Sequence, residues 1–230
     1  VWNLVLACTL ACCGSGVDDN TPPPPDAVVS QLSENLQTGS LVFSRGDCLA
    51  VKIFSRSQYT HVGGVVMVND EPIVYDSMNG SGVRKTPFVE YLRQQTNSGV
   101  QIVHPYQPLT TSESVAFHQH LESQIGRQYA VSHHLTGQRA DGVHCAEYMT
   151  DALMAANIIA AKQPARVSPG SLLQGVTAAK LYTQGCRADF KPTDPNPLSL
   201  QTAWYQRAWH GTVVGYNNTT SRLRRWVLCR

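Results

Sequence analysis

The chain has 230 residues, of which 42% are hydrophobic and 15% charged, the profile of a folded globular protein rather than a disordered or collagen-like one. Eighteen Lys and Arg against sixteen Asp and Glu leave a formal charge of +2, so composition offers no basic face and no nucleic-acid partner is expected. The longest strongly apolar run lies within residues 1–13, short of the roughly 20 residues that a spanning helix needs, so no membrane span is expected downstream.

That opening run has the length of a signal-peptide apolar core and is followed by small residues, and it reads as a signal sequence lacking its basic front. Thr9-Leu10-Ala11-Cys12 loosely matches a bacterial lipoprotein processing site, which makes Cys12 the preferred lipidated residue and leaves Cys8 and Cys13 open. Residues 1–14 are therefore expected to export the chain and to hold it at the membrane of a bacterial cell envelope through a lipid anchor. Residues 15–31, with the four prolines at 22–25, read as an extended polyproline spacer that lifts the folded part off that surface. The folded domain is expected over 32–186 and an accessory extension over 187–230. Seven cysteines leave at least one thiol over, and Cys186 with Cys229 is a candidate pair in an oxidising compartment.

Within the domain, residues 42–54 read as extended chain interrupted at Gly46-Asp47, and residues 62–68 are a dense β-branched strand. A turn at Asn69-Asp70-Glu71-Pro72 returns the chain into Ile73-Val74-Tyr75, giving an antiparallel hairpin that ends at Asn79-Gly80-Ser81-Gly82. Thr86-Pro87 reads as a helix N-cap with proline at the first helical position, opening a helix with Phe88, Tyr91 and Leu92 on one face. Residues 100–103 form one more strand. Thr110 and Glu113 suit a capping box for a helix carrying Phe117, Leu121 and Ile125, stopped by Gly126. Past Asp141, a helix lines up Cys145, Met149, Ala152, Leu153 and Ala156, and Ser168-Pro169 opens a short one around Leu172 and Leu173. Beyond residue 188, Trp204 and Trp209 suggest an accessory packed helix. Strands first and helices after favour an α+β fold.

Cys145 stands out at the start of its helix, where unpaired N–H groups and the helix dipole favour a thiolate and can hold an oxyanion. His61 opens the strand, and Asp76 follows Val74-Tyr75. In a hairpin closing near residues 68–70 the two become approximate cross-strand neighbours, with a bulge at Gly63-Gly64 absorbing the offset, so a carboxylate can orient an imidazole. His144 points about 100° away from Cys145 on a helix, and the spacings of His118, His120, His133 and His134 match no usual zinc pattern. These five read as solvated or capping histidines, and no metal is expected.

Gly46-Asp47, Tyr59-Thr60-His61-Val62-Gly63, Asp76, Gly82-Val83, Gly126-Arg127-Gln128-Tyr129, Cys145-Ala146-Glu147-Tyr148 and Ser168-Pro169 together resemble the circularly permuted papain-like hydrolases of the YiiX type. That family is related to NlpC-type cell-wall peptidases and to lecithin:retinol acyltransferase, and the likeness covers about residues 40–175. The resemblance implies a papain-like antiparallel sheet packed with helices, with histidine preceding cysteine in the chain. It also implies Cys145 as nucleophile, His61 as base and Asp76 as orienting acid, with Tyr59 and Tyr129 near the substrate. The expected activity is hydrolysis of an amide or ester in a cell-wall peptide or a lipid acyl group, through an acyl-enzyme and without a cofactor. The rival is a noncatalytic surface lipoprotein that keeps the fold to bind. Asp76 where the family usually has Glu, Ala146 for Ser, and Ala130 for an acid keep that rival in play.

Overall fold

The computed structural model describes residues 26–45, 57–95, 99–130, 137, 139 and 141–190. Residues 1–25, Gly46-Asp47, His133-His134, Trp204, Trp209 and Cys229, on which several expectations rest, lie outside the described residues. The elements in chain order are α1 (Asp26–Ser33), β1 (Leu41–Ser44), β2 (His61–Val68), β3 (Glu71–Met78), β4 (Gly82–Pro87), α2 (Phe88–Gln94) and β5 (Gly99–Pro105). There follow α3 (Thr111–Ser123), α4 (Cys145–Ala155), a 3₁₀ turn at Pro164–Arg166, α5 (Pro169–Ala178) and β6 (Tyr182–Asp189).

All six strands form one antiparallel sheet in the order β4-β3-β2-β1-β5-β6, so the fold is α+β. Both faces of the sheet are covered, which is why β1 and the middle of β2 are buried continuously rather than alternately. On one face Leu41, Phe43, Val62, Val66 and Tyr75 pack with Phe117 and Leu121 of α3, Met149 and Leu153 of α4, and Leu172 of α5. On the other, Val42, Val65, Val74 and Ile102 pack with Leu32 at the end of α1 and with Phe88, Tyr91 and Leu92 of α2.

The β2–β3 hairpin turns on Asn69 and Asp70, both at positive φ (51° and 65°), the two-residue turn whose twist matches the strands. Gly64 faces Tyr75 and Val68 faces Glu71 in one unbroken register, and the pairing of β2 with β3 begins at Gly64. The capping box of α3 is present, with Glu113 N–H donating to Thr110 Oγ1 (3.3 Å) and Thr110 N–H to Glu113 Oε2 (2.8 Å). Ser168 caps α5 ahead of Pro169, as the sequence predicts.

Other expectations need correction. Residues 26–31 of the expected spacer are helical, because Leu32 anchors α1 in the core and Val28 and Val29 pack against the same cluster. Thr86 and Pro87 finish β4 instead of starting a helix; Pro87 itself is the N-cap and makes no side-chain cap bond. Ile125 lies past the end of α3 and is 40% exposed, since the chain leaves the helix before completing the turn that would bury it. Strand β6 runs through the boundary expected at 186–187 and pairs with β5 as far as Asp189.

Candidate active site

His61 is the first residue of β2, paired to Ser44 of β1. Asp76 follows Tyr75, the β3 partner of Gly64, and its carboxylate reaches the ring of His61 at the start of β2. Gly63 between them is closely packed: a Cβ there would stand 2.7 Å from Val74 Cγ1 and 3.1 Å from the Tyr75 carbonyl oxygen. His61 Nε2 lies 3.0 Å from Asp76 Oδ2, and the His61 ring stacks on Tyr91 of α2 at 6.5 Å between centroids and 26° between planes.

Asp76 is completely buried. Its charge is met from β4, where Arg84 sits directly opposite and donates through Nε to Oδ1 (2.9 Å) and through Nη2 to Oδ2 (3.4 Å). Arg84 is held in turn by Gln94 Oε1 of α2, 2.7 Å from Nη2. Burial alone would raise the Asp76 pKa, but the hydrogen bond and charge of His61, followed by Arg84, bring it below the usual carboxylate range.

Cys145 is the first residue of α4 and 3% exposed. With Asp76 on Nε2, Nδ1 is the His61 ring nitrogen left free to face a thiol. Burial would push the Cys145 thiol pKa up. The charge of His61 first, with His144 beside it, outweighs that and brings Cys145 down to about 6. Burial likewise opposes the imidazolium, yet the Cys145 charge and then the Asp76 hydrogen bond carry His61 up to about 10. The two shifts describe one ion pair, thiolate against imidazolium, inside a buried setting.

Tyr129 is half-buried, and its hydroxyl is held neutral well above the ordinary range by burial and then by the charge of Cys145. Tyr59 is 7% exposed and packs edge-on to Phe43 at 6.0 Å, in the same cluster as Cys145. His118 is tied to Tyr75 Oη (3.1 Å) on α3, away from the cysteine, and His144 is a helix cap. No group of three His, Cys, Asp or Glu suited to a metal occurs among the described residues. A cavity of about 660 Å³ lies between the end of α1 and strands β5 and β6, lined by Leu36, His104 and Cys186; Cys145 does not line it.

Sequence reasoning did not find Arg84, Gln94 or the His61–Tyr91 stack. The signal for Arg84 was available: continuing the hairpin into a third strand at residues 82–87 sets a cation across from Asp76.

Residues 35–205 match the family model described as permuted papain-like amidase enzyme, YaeF/YiiX, C92 family. Among solved structures, the fold is similar to the crystal structure of the metalloprotein YiiX from Escherichia coli O157:H7, with a TM-score of 0.53 and 19% sequence identity. That match covers 68% of this chain and 98% of the other, and at such identity the likeness is one of fold. No curated protein matches the sequence.

Proposed function

This chain belongs to the permuted papain-like amidase family, and from that premise we propose that it is a thiol hydrolase cleaving an amide or ester bond through Cys145, His61 and Asp76. The observation that carries the reading is the His61 ring bonded to the buried Asp76 carboxylate, with Cys145 at the start of α4 near enough for the two charges to favour each other. In this scheme His61 Nδ1 takes the thiol proton, and the thiolate attacks the substrate carbonyl carbon. The N–H of Cys145, at the first position of α4 where a helix supplies no internal acceptor, faces the oxyanion that develops. The intermediate collapses, His61 returns its proton to the departing amine or alcohol, and an acyl thioester remains on Cys145. Water, deprotonated by His61, then releases the acid and restores the thiol.

Asp76 keeps the ring oriented and favours its protonated form, and Arg84 lets that carboxylate stay charged without solvent. Tyr129, whose hydroxyl senses the charge of Cys145, and Tyr59 are the side chains we assign to the substrate. The family's amidase description favours a peptide amide of the cell wall, with lipid acyl esters second. We further propose an exported protein anchored at the envelope through Cys12, or through Cys8 or Cys13. The near-complete burial of Cys145 favours one rival, a noncatalytic binding module built on the same fold.

The test is to incubate the protein with muropeptides and with short-chain acyl esters, then to seek the acyl adduct on the Cys145 peptide by mass spectrometry. An adduct that is absent in Cys145→Ser supports the enzyme. Intact substrates, with saturable binding that Cys145→Ser leaves unchanged, support the binder.

A further inference from the structure

Helix N-caps favour Asn, Asp, Ser and Thr, yet the residue capping α4, next to the sulfur, is histidine. Its side chain is buried and its ring fully matched in the neutral form. Nδ1 accepts from the Glu147 N–H (3.3 Å), and Nε2 donates to the Ala165 carbonyl (3.0 Å) in the 3₁₀ turn. The first turn of the nucleophile helix is therefore fastened at one end by a heterocycle and tied to a neighbouring segment. A carboxylate cap would serve the backbone equally well, but would set a negative charge beside the place where the thiolate must form.

We propose that His144 is a positioning residue: it caps α4 without a carboxylate, leaving the positive end of the helix to the Cys145 thiolate. The proposal deepens the thiol-hydrolase reading and rests on it. Each charged neighbour is accounted for. His61 approaches from β2 with Asp76 behind it, and Tyr129 and Tyr91 also sense the sulfur's charge as hydroxyls held neutral. Of the carboxylates on α4, Glu147 stands 3.9 Å from His144 Nε2 through Oε2 and 3.5 Å from Arg139 through Oε1, and Arg139 also holds Asp151.

The experiment measures the iodoacetamide alkylation rate of Cys145, resolved from the other cysteines by peptide mass spectrometry, against pH in wild type, His144→Asp and His144→Asn. Melting temperature is recorded alongside. His144→Asp keeps a cap but loses the bond to the Ala165 carbonyl, so it is expected to melt below wild type and to slow alkylation near pH 7 by on the order of tenfold. His144→Asn, an uncharged cap, is expected to recover most of that rate. A His144→Asp profile that overlays wild type overturns the proposal, as does His144→Asn, which loses the same Ala165 bond, slowed as far as His144→Asp. Failure of the underlying reading looks different: wild-type Cys145 would then titrate as an ordinary thiol and ignore His61→Ala, whatever stands at 144.

Discussion

Asp76 is a fully buried carboxylate, and Arg84 is what makes its charge tolerable. Arg84→Met keeps much of the side-chain volume but leaves the carboxylate with His61 alone. Breaking a buried pair in this way costs about 3 kcal/mol, which urea unfolding at neutral pH should register. Asp76→Asn acts differently: it removes two of the influences that raise the His61 pKa, its hydrogen bond and its charge, so the imidazolium is lost at lower pH. The alkaline limb of the turnover profile, which needs the imidazolium as acid, is then expected to move to lower pH. The candidate nucleophile, histidine and acid were all legible as residues, because a helix-start cysteine and a strand-start histidine carry their own chemistry. Arg84 was not, since an arginine gains meaning only from the strand that faces it.

Among the elements, the β2–β3 hairpin was readable because Asn69-Asp70 specify its turn, but its register was misjudged by centring that turn one position late. The turn is two residues, not four, and His61 and Asp76 meet beyond the last β2–β3 pair, Gly64 with Tyr75. Strand β4 escaped notice because its alternation is masked by Arg84-Lys85 and closed by a proline that imitates a helix start. Its beginning is fixed by Gly82, at φ +70°, where a Cβ would run into the Arg127 carbonyl oxygen. Val83 N–H also donates to that oxygen (2.8 Å), so the segment holding Tyr129 is stitched to β4 at this point. Gly82→Ala is therefore expected to destabilise the fold by about 2–3 kcal/mol through positive φ and backbone overlap, as a shift in the urea midpoint. Gly80→Ala is the control for the strained φ alone, since nothing lies within 4 Å of its Cβ position, and it should cost less.

At the scale of the molecule, the sheet brings histidine and acid from its β2–β3 hairpin to the N-terminus of a helix that follows all but the last strand. That order was legible from the sequence because helix and strand periodicities survive permutation. The last strand, β6, was not, because its exposed polar residues, Gln184 and Arg187 among them, suit a sheet edge and give no buried pattern to read. The ion pair sets the expected pH window: thiolate forms above the Cys145 pKa of about 6, and imidazolium persists below the His61 pKa of about 10. Turnover should follow a bell between those limits once a substrate is in hand. The most direct test of the central claim is the pH dependence of Cys145 alkylation in wild type and in His61→Ala. A wild-type thiol reactive from about pH 6, with a midpoint that moves upward toward that of an ordinary thiol in His61→Ala, is the expected result. Identical profiles in the two proteins would contradict it.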